Sequence, residues 1–91
     1  MKVQDIYYDK RFEKQFRALP LAIKKKAVKA EGFFRTNPFH PSLRLHKLEG
    51  KLKELWSVSI DRNYRIIFKP LEEGVILFVS IGLHAIYEDS L

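Results

Sequence analysis

The residues with chemistry to offer in this chain are few. Three histidines, His40, His46 and His84, are dispersed along 91 residues, and there is no cysteine. Imidazole exchanges protons near neutral pH, so a histidine suits a general acid or base. His84 is the best candidate, because it follows Gly82 and the apolar run that ends at Ile81. A titratable residue just past a buried strand stays clear of the core, although a surface or capping histidine is the commoner case for that position. Arg65 stands among Tyr64, Ile66, Ile67 and Phe68. Strand alternation turns it away from Tyr64, Ile66 and Phe68 and onto the face of Ile67 and Lys69. An arginine there either forms a salt bridge or serves a site. Tyr87 either caps the core or reaches the same cleft. His46 lies close to Arg44 and Lys47, an ordinary surface setting for a single residue.

Metal-free RNA cleavage is one reaction with specific needs that these residue types suit. Cleaving RNA through its own 2′-OH requires a proton taken from that hydroxyl, a proton given to the departing 5′-oxygen, and neutralisation of the phosphorane charge. Histidine serves the first two needs, and arginine serves the third through its fork of N–H donors. Aromatic rings stack on unpaired bases. Other chemistries lack their motifs: there is no Gly-rich phosphate loop, no nucleophile elbow and no helical His-x-x-x-His pair. A zinc site would need carboxylate partners that the sequence does not suggest, so neither metal nor cofactor is expected.

Such residues need elements to hold them. Leu52–Ile60, Tyr64–Leu71 and Val75–Ile81 read as consecutive strands, with turns at Asp61-Arg62-Asn63 and Glu72-Glu73-Gly74. Val75 to Val79 is apolar on both faces, as a central strand requires. Upstream, Val3–Tyr8 is β-branched and aromatic and reads as a first strand. Asp9 caps a helix from Lys10, with Phe12, Phe16 and Leu19 on one stripe. Pro20 ends it and opens a second helix over Leu21–Arg35, where Ile23, Ala27, Ala30 and Phe34 share a face and Lys24, Lys25, Lys26 and Lys29 take the others. Gly32 predicts loosening near the end of that helix. The stretch Asn37–Lys51 reads as a long loop, of the kind that is functional or mobile. The expected fold is α+β with the order β-α-α-β-β-β. A helix hairpin packs on a four-stranded, mainly antiparallel sheet, with the first strand beside the meander. Trp56 is expected in the core.

Size and charge set the class of protein. A chain of 91 residues with 46% hydrophobic and 13% aromatic content is one globular domain, residues 1–91. It shows no secretory signal, and its apolar runs are too short to span a bilayer, so a cytoplasmic location and no membrane partner are expected. Net charge is +6, unevenly spread: Lys10 to Lys53 holds thirteen Lys or Arg against three Glu, while the remainder holds four basic against eight acidic residues. That asymmetry fits a polyanionic partner, nucleic acid or acidic protein, and fits equally a solvated helix face.

The blocks LHKLEGKLKELWSV, NYRIIF and IGLHAIY occur in an order and spacing that resemble the RelE/ParE superfamily of toxin–antitoxin toxins, nearest its RelE and YafQ branch. The likeness covers nearly the whole chain and is most specific from Leu45 to Glu88. It implies the RelE-like, microbial-ribonuclease-type fold and metal-free, ribosome-dependent cleavage of mRNA. It also implies a cognate antitoxin with an acidic or partly disordered segment that covers the site, with DNA contacted only through that antitoxin. By the resemblance His84 takes the place of a catalytic histidine, Arg65 that of a strand arginine, Tyr87 that of a C-terminal tyrosine and His46 that of a second acid–base histidine. Lys51 and Lys53 match a basic stretch that meets RNA, and Lys47 and Arg62 are expected to bind RNA with them. Ser59 and Asn63 stand where YafQ-like toxins carry a histidine and an aspartate, so the acid–base set is a hybrid of the two branches. The alternatives are a ParE-like, non-enzymatic inhibitor of DNA gyrase and a catalytically inactive binding relative.

Overall fold

A computed structural model of the chain describes residues 1–52 and 54–83. Strand β1 (Asp5–Tyr8) leads into helices α1 (Lys10–Arg17) and α2 (Leu21–Thr36). Strands β2 (His46–Lys47), β3 (Trp56–Ser59), β4 (Tyr64–Pro70) and β5 (Val75–Leu83) follow. Among the described residues the sheet has five strands in the order β1-β5-β4-β3-β2. β1 runs parallel to β5 and every other pairing is antiparallel. The α+β architecture and the β1–meander contact are as the sequence predicts. No helix among the described residues is long and apolar enough to cross a membrane.

The helices start and stop where local chemistry dictates. The Asp9 carboxylate accepts the Arg11 amide at 2.8 Å and caps α1. At Pro20 the chain restarts, and the proline carbonyl accepts the amides of Ile23 and Lys24 at 3.0 Å. α2 does not loosen at Gly32. It continues to Thr36, whose Oγ1 donates to the Phe33 carbonyl at 3.1 Å, and stops at Asn37, which is extended ahead of Pro38.

Both helices press aromatic and small residues onto one face of the sheet. Phe12, Ala27, Ala30 and Phe34 meet Ile6, Val58, Ile66, Phe68, Ile76, Phe78 and Ile81 in one buried cluster. Phe34 stands edge-on to Phe68 at 4.9 Å between centroids, and Trp56, packed against the cluster, stacks on Phe68 at 6.4 Å.

Two departures from the sequence reading shape the second face. The expected first meander strand, Leu52–Ile60, is only Trp56–Ser59, because Gly50 (φ +66°) turns the chain into a 3₁₀ turn over Gly50–Leu52. That turn brings back His46–Lys47 as a fifth strand inside the expected loop, with the Leu48 amide donating to the Leu55 carbonyl at 2.9 Å. The second departure is a bulge in β5. Phe68 pairs with Phe78, but Ile67 pairs with Ser80, so Val79 is an extra residue. It reverses the alternation of β5. Ile81 thereby joins the core, and Ser80 and Gly82 fall opposite Ile67 and Arg65.

Candidate functional site

Cross-strand partners share a face, so the register places the candidate residues. On the face away from the helices one row reads His46, Ser57, Ile67, Ser80, and the next reads Ser59, Arg65, Gly82. Gly82 adds no side chain beside Arg65, which leaves room there. Ser57, Ile67 and Ser80 are buried, and Ser59 is 5% exposed.

Arg65 is half-buried and committed to the β3–β4 turn. Its Nη1 donates to the carbonyls of Asp61 (2.8 Å), Tyr64 (3.0 Å) and Arg62 (3.3 Å). These bonds involve one nitrogen, so the Nε and Nη2 donors are not spent on them. The same turn is fixed from below by the Asp61 carboxylate. It accepts the amides of Asn63 at 2.8 Å and Tyr64 at 2.9 Å and pairs with Lys26 of α2 at 3.3 Å. Burial, the largest influence on that carboxyl, pushes its pKa up. The Tyr64 and Asn63 amides and Lys26 outweigh burial and hold the carboxyl below its ordinary value.

His46 is exposed on β2, with Nδ1 3.2 Å from the Arg44 carbonyl. It lies two strands and one two-residue step from Arg65, about 12 Å between Cα atoms by strand spacing. The guanidinium reaches for the turn and not for that row, so the fold does not bring His46 and Arg65 together on one atom. Lys47 faces the other way, opposite Trp56, and Lys51 is exposed on the 3₁₀ turn. Arg62 is exposed at the hairpin tip, where it lines a cleft of about 470 Å³ with Arg44, Ser42 and Ser59. The predicted residues His84, Tyr87 and Lys53 lie outside the described residues. Among the described residues no group of three or more His, Cys, Asp or Glu side chains gathers as metal ligands would.

Sequence reasoning missed two features. Between the helices an apolar groove of about 290 Å³ is lined by Phe12, Phe16, Val28 and Phe78. At its edge Tyr8 donates to Glu31, with Arg35 3.6 Å from the same carboxylate. Burial, then the Glu31 carboxylate, raises the Tyr8 pKa against the pull of Arg35. The sequence signal for that groove was the Phe12 and Phe16 stripe, read as core; Phe16 is only partly buried and lines the groove beside the exposed Val28. The Arg65 clamp had no signal, since its acceptors are backbone carbonyls.

Known proteins supply the context. No curated protein sequence matches the chain. Among solved structures, YafQ from Escherichia coli strain BL21(DE3) superposes with a TM-score of 0.72 at 22% identity, over 92% of this chain and 97% of that one. The YoeB/ParE toxin from Agrobacterium tumefaciens gives 0.75 at 13% identity, over 89% and 99%. The archaeal RelE–RelB complex from Pyrococcus horikoshii OT3 gives 0.71 at 19% identity, over 93% and 98%. At these identities the likeness is one of fold. A family model describing the RelE-like toxin HigB of type II toxin–antitoxin systems matches residues 10–84, from the start of α1 through β5. The chain therefore belongs to the HigB-like family of RelE-like toxins of type II toxin–antitoxin systems.

Proposed function

We propose that this toxin is an endoribonuclease that cuts mRNA on the translating ribosome without a metal, and that a cognate antitoxin silences it. The observation that carries the reading is Arg65, held beside Gly82 on the sheet face away from the helices, in a chain of RelE-like family. In the proposed reaction the 2′-oxygen attacks the adjacent phosphorus as His84 moves its proton. The bond to the 5′-oxygen breaks, that oxygen takes a proton from solvent water, and the products are a 2′,3′-cyclic phosphate and a 5′-OH. Arg65 offsets the extra charge of the phosphorane through donors not spent on the turn. Tyr87 positions or stacks the base. His46, set apart from Arg65 by two strands, meets the RNA at a neighbouring nucleotide and takes no part in the proton transfers at the cleaved phosphate. Lys47, Lys51, Lys53 and Arg62 hold the backbone of messenger or ribosomal RNA, each as a point of charge neutralisation. The antitoxin proposal is supported by family membership and by the fold shared with the toxin of the RelE–RelB complex.

The test is induction in a host without the antitoxin, with primer extension on a defined transcript. Cuts confined to translated codons, and absent in His84→Ala, are expected. Growth arrest with intact transcripts would transfer the reading to an inhibitor that binds a protein target such as gyrase. Absence of arrest would mark an inactive relative.

A further inference from the structure

Two adjoining clefts run around the tip of the β3–β4 hairpin and share Ser42, Ser59, Ile60 and Asp61 along their walls. One, of about 280 Å³, reaches α2 at Lys26 and Lys29. The other, of about 470 Å³, reaches Arg44 and Arg62. Together they form one trough with four cations along it and a single carboxylate, Asp61. That carboxylate already accepts two turn amides and pairs with Lys26, so it opposes an incoming anion weakly. A row of separated cations suits a chain of phosphates better than one compact anion.

The α2 end of the trough also has an aromatic wall. Phe33 lines it, and His40 stacks face to face on Phe33 at 4.1 Å with the ring planes 8° apart. Lys29 stands 5.8 Å from the Phe33 ring centroid. Phe39, next to His40 in the chain, is 62% exposed. Aromatic surface beside a cationic track fits unpaired bases beside their backbone. An acidic peptide would use the charge and leave the rings idle.

We propose that this trough binds the backbone of single-stranded RNA, as a contact additional to the one around Arg65. The choice of RNA over other polyanions rests on the ribonuclease reading above. Lys26, Lys29, Arg44 and Arg62 take successive phosphates, and the Phe33–His40 stack borders a base.

The experiment is fluorescence anisotropy of a labelled, unstructured oligouridylate with the purified toxin, across a salt series. Lys29→Gln with Arg44→Asn removes two charges without strain, because Arg44 is left-handed (φ +47°), a conformation asparagine accepts. The double variant should bind about tenfold more weakly, with its log–log salt slope shallower by about 1.4 for two lost phosphate contacts. Its melting temperature should be unchanged. An unchanged affinity and slope overturn the proposal, as does polyglutamate displacing the RNA as well as unlabelled RNA does. A wild-type protein that binds through the trough but cuts no transcript would sink the ribonuclease reading and leave the trough standing.

Discussion

The Gln15 side-chain oxygen accepts the backbone amide of Ile81 at 2.9 Å, joining α1 to β5 two residues beyond the bulge at Val79. Ile81 is buried, so its amide has little access to water as a substitute acceptor. Gln15→Ala should cost about 1–2 kcal/mol, as an orphaned buried donor does. Gln15→Glu keeps an acceptor and should cost less. Urea unfolding of the two variants checks this, and a Gln15→Ala protein as stable as the unsubstituted chain would mean that the contact contributes nothing.

Arg65 and Arg62 predict opposite profiles. Arg65→Ala removes the donor to three turn carbonyls and should destabilise by about 1–2 kcal/mol as well as abolish toxicity. Arg62→Ala removes an exposed side chain, so the melting temperature should stay put while RNA affinity falls. Thermal melts beside growth assays separate the two. A toxic Arg65→Ala would confine that residue to a structural role.

Asp61 gives a pH test with a definite sign. Its folded pKa lies below the ordinary 3.8. The carboxylate therefore stabilises the fold at any pH above that value, and the contribution fades as pH falls through the lower folded pKa. The penalty of Asp61→Ala should be full at about pH 7 and should shrink by about pH 3. A penalty equal at both pH values would assign the effect to packing alone.

Two glycines should respond to alanine in opposite directions. Gly32 sits exposed within α2, and a Cβ there meets nothing within 4 Å. Gly32→Ala should stabilise by about 1 kcal/mol, or roughly 4–8 °C in melting temperature. Gly74 has φ +78°, and a Cβ would fall 2.9 Å from the Lys2 carbonyl oxygen and 2.7 Å from Gln4 Cγ. Gly74→Ala should lose more than about 1 kcal/mol and weaken the Gln4–Gly74 bond just ahead of β1. Calorimetry on both variants is enough to decide.

Much of the frame was legible because strong local signals agreed. Asp9, Pro20 and Pro38 punctuate the helices, and both turns of the meander fall where Asp61-Arg62-Asn63 and Glu72-Glu73-Gly74 stand. β2 was not legible, since two residues carry no alternation and the pairing depends on the Gly50 turn. The bulge was hidden too: Val79 looks like any residue of an apolar strand, yet it decides which face Ser80 and Gly82 share with Arg65. Strand parity found the face of Arg65 but not its partners, because carbonyls are common to every residue. The roles of His84, Tyr87 and Lys53 stand on sequence resemblance, and those positions lie outside the described residues.

The parallel pairing of β1 with β5 joins Asp5–Tyr8 to Val75–Phe78, nearly the two ends of the chain. During synthesis the first strand therefore emerges long before its neighbour exists, and the sheet closes only after β5 clears the exit tunnel. Arg65 gains Gly82 as a neighbour only in that final step. The face that carries Arg65 and Gly82 is therefore complete only once nearly all of the described chain has been made.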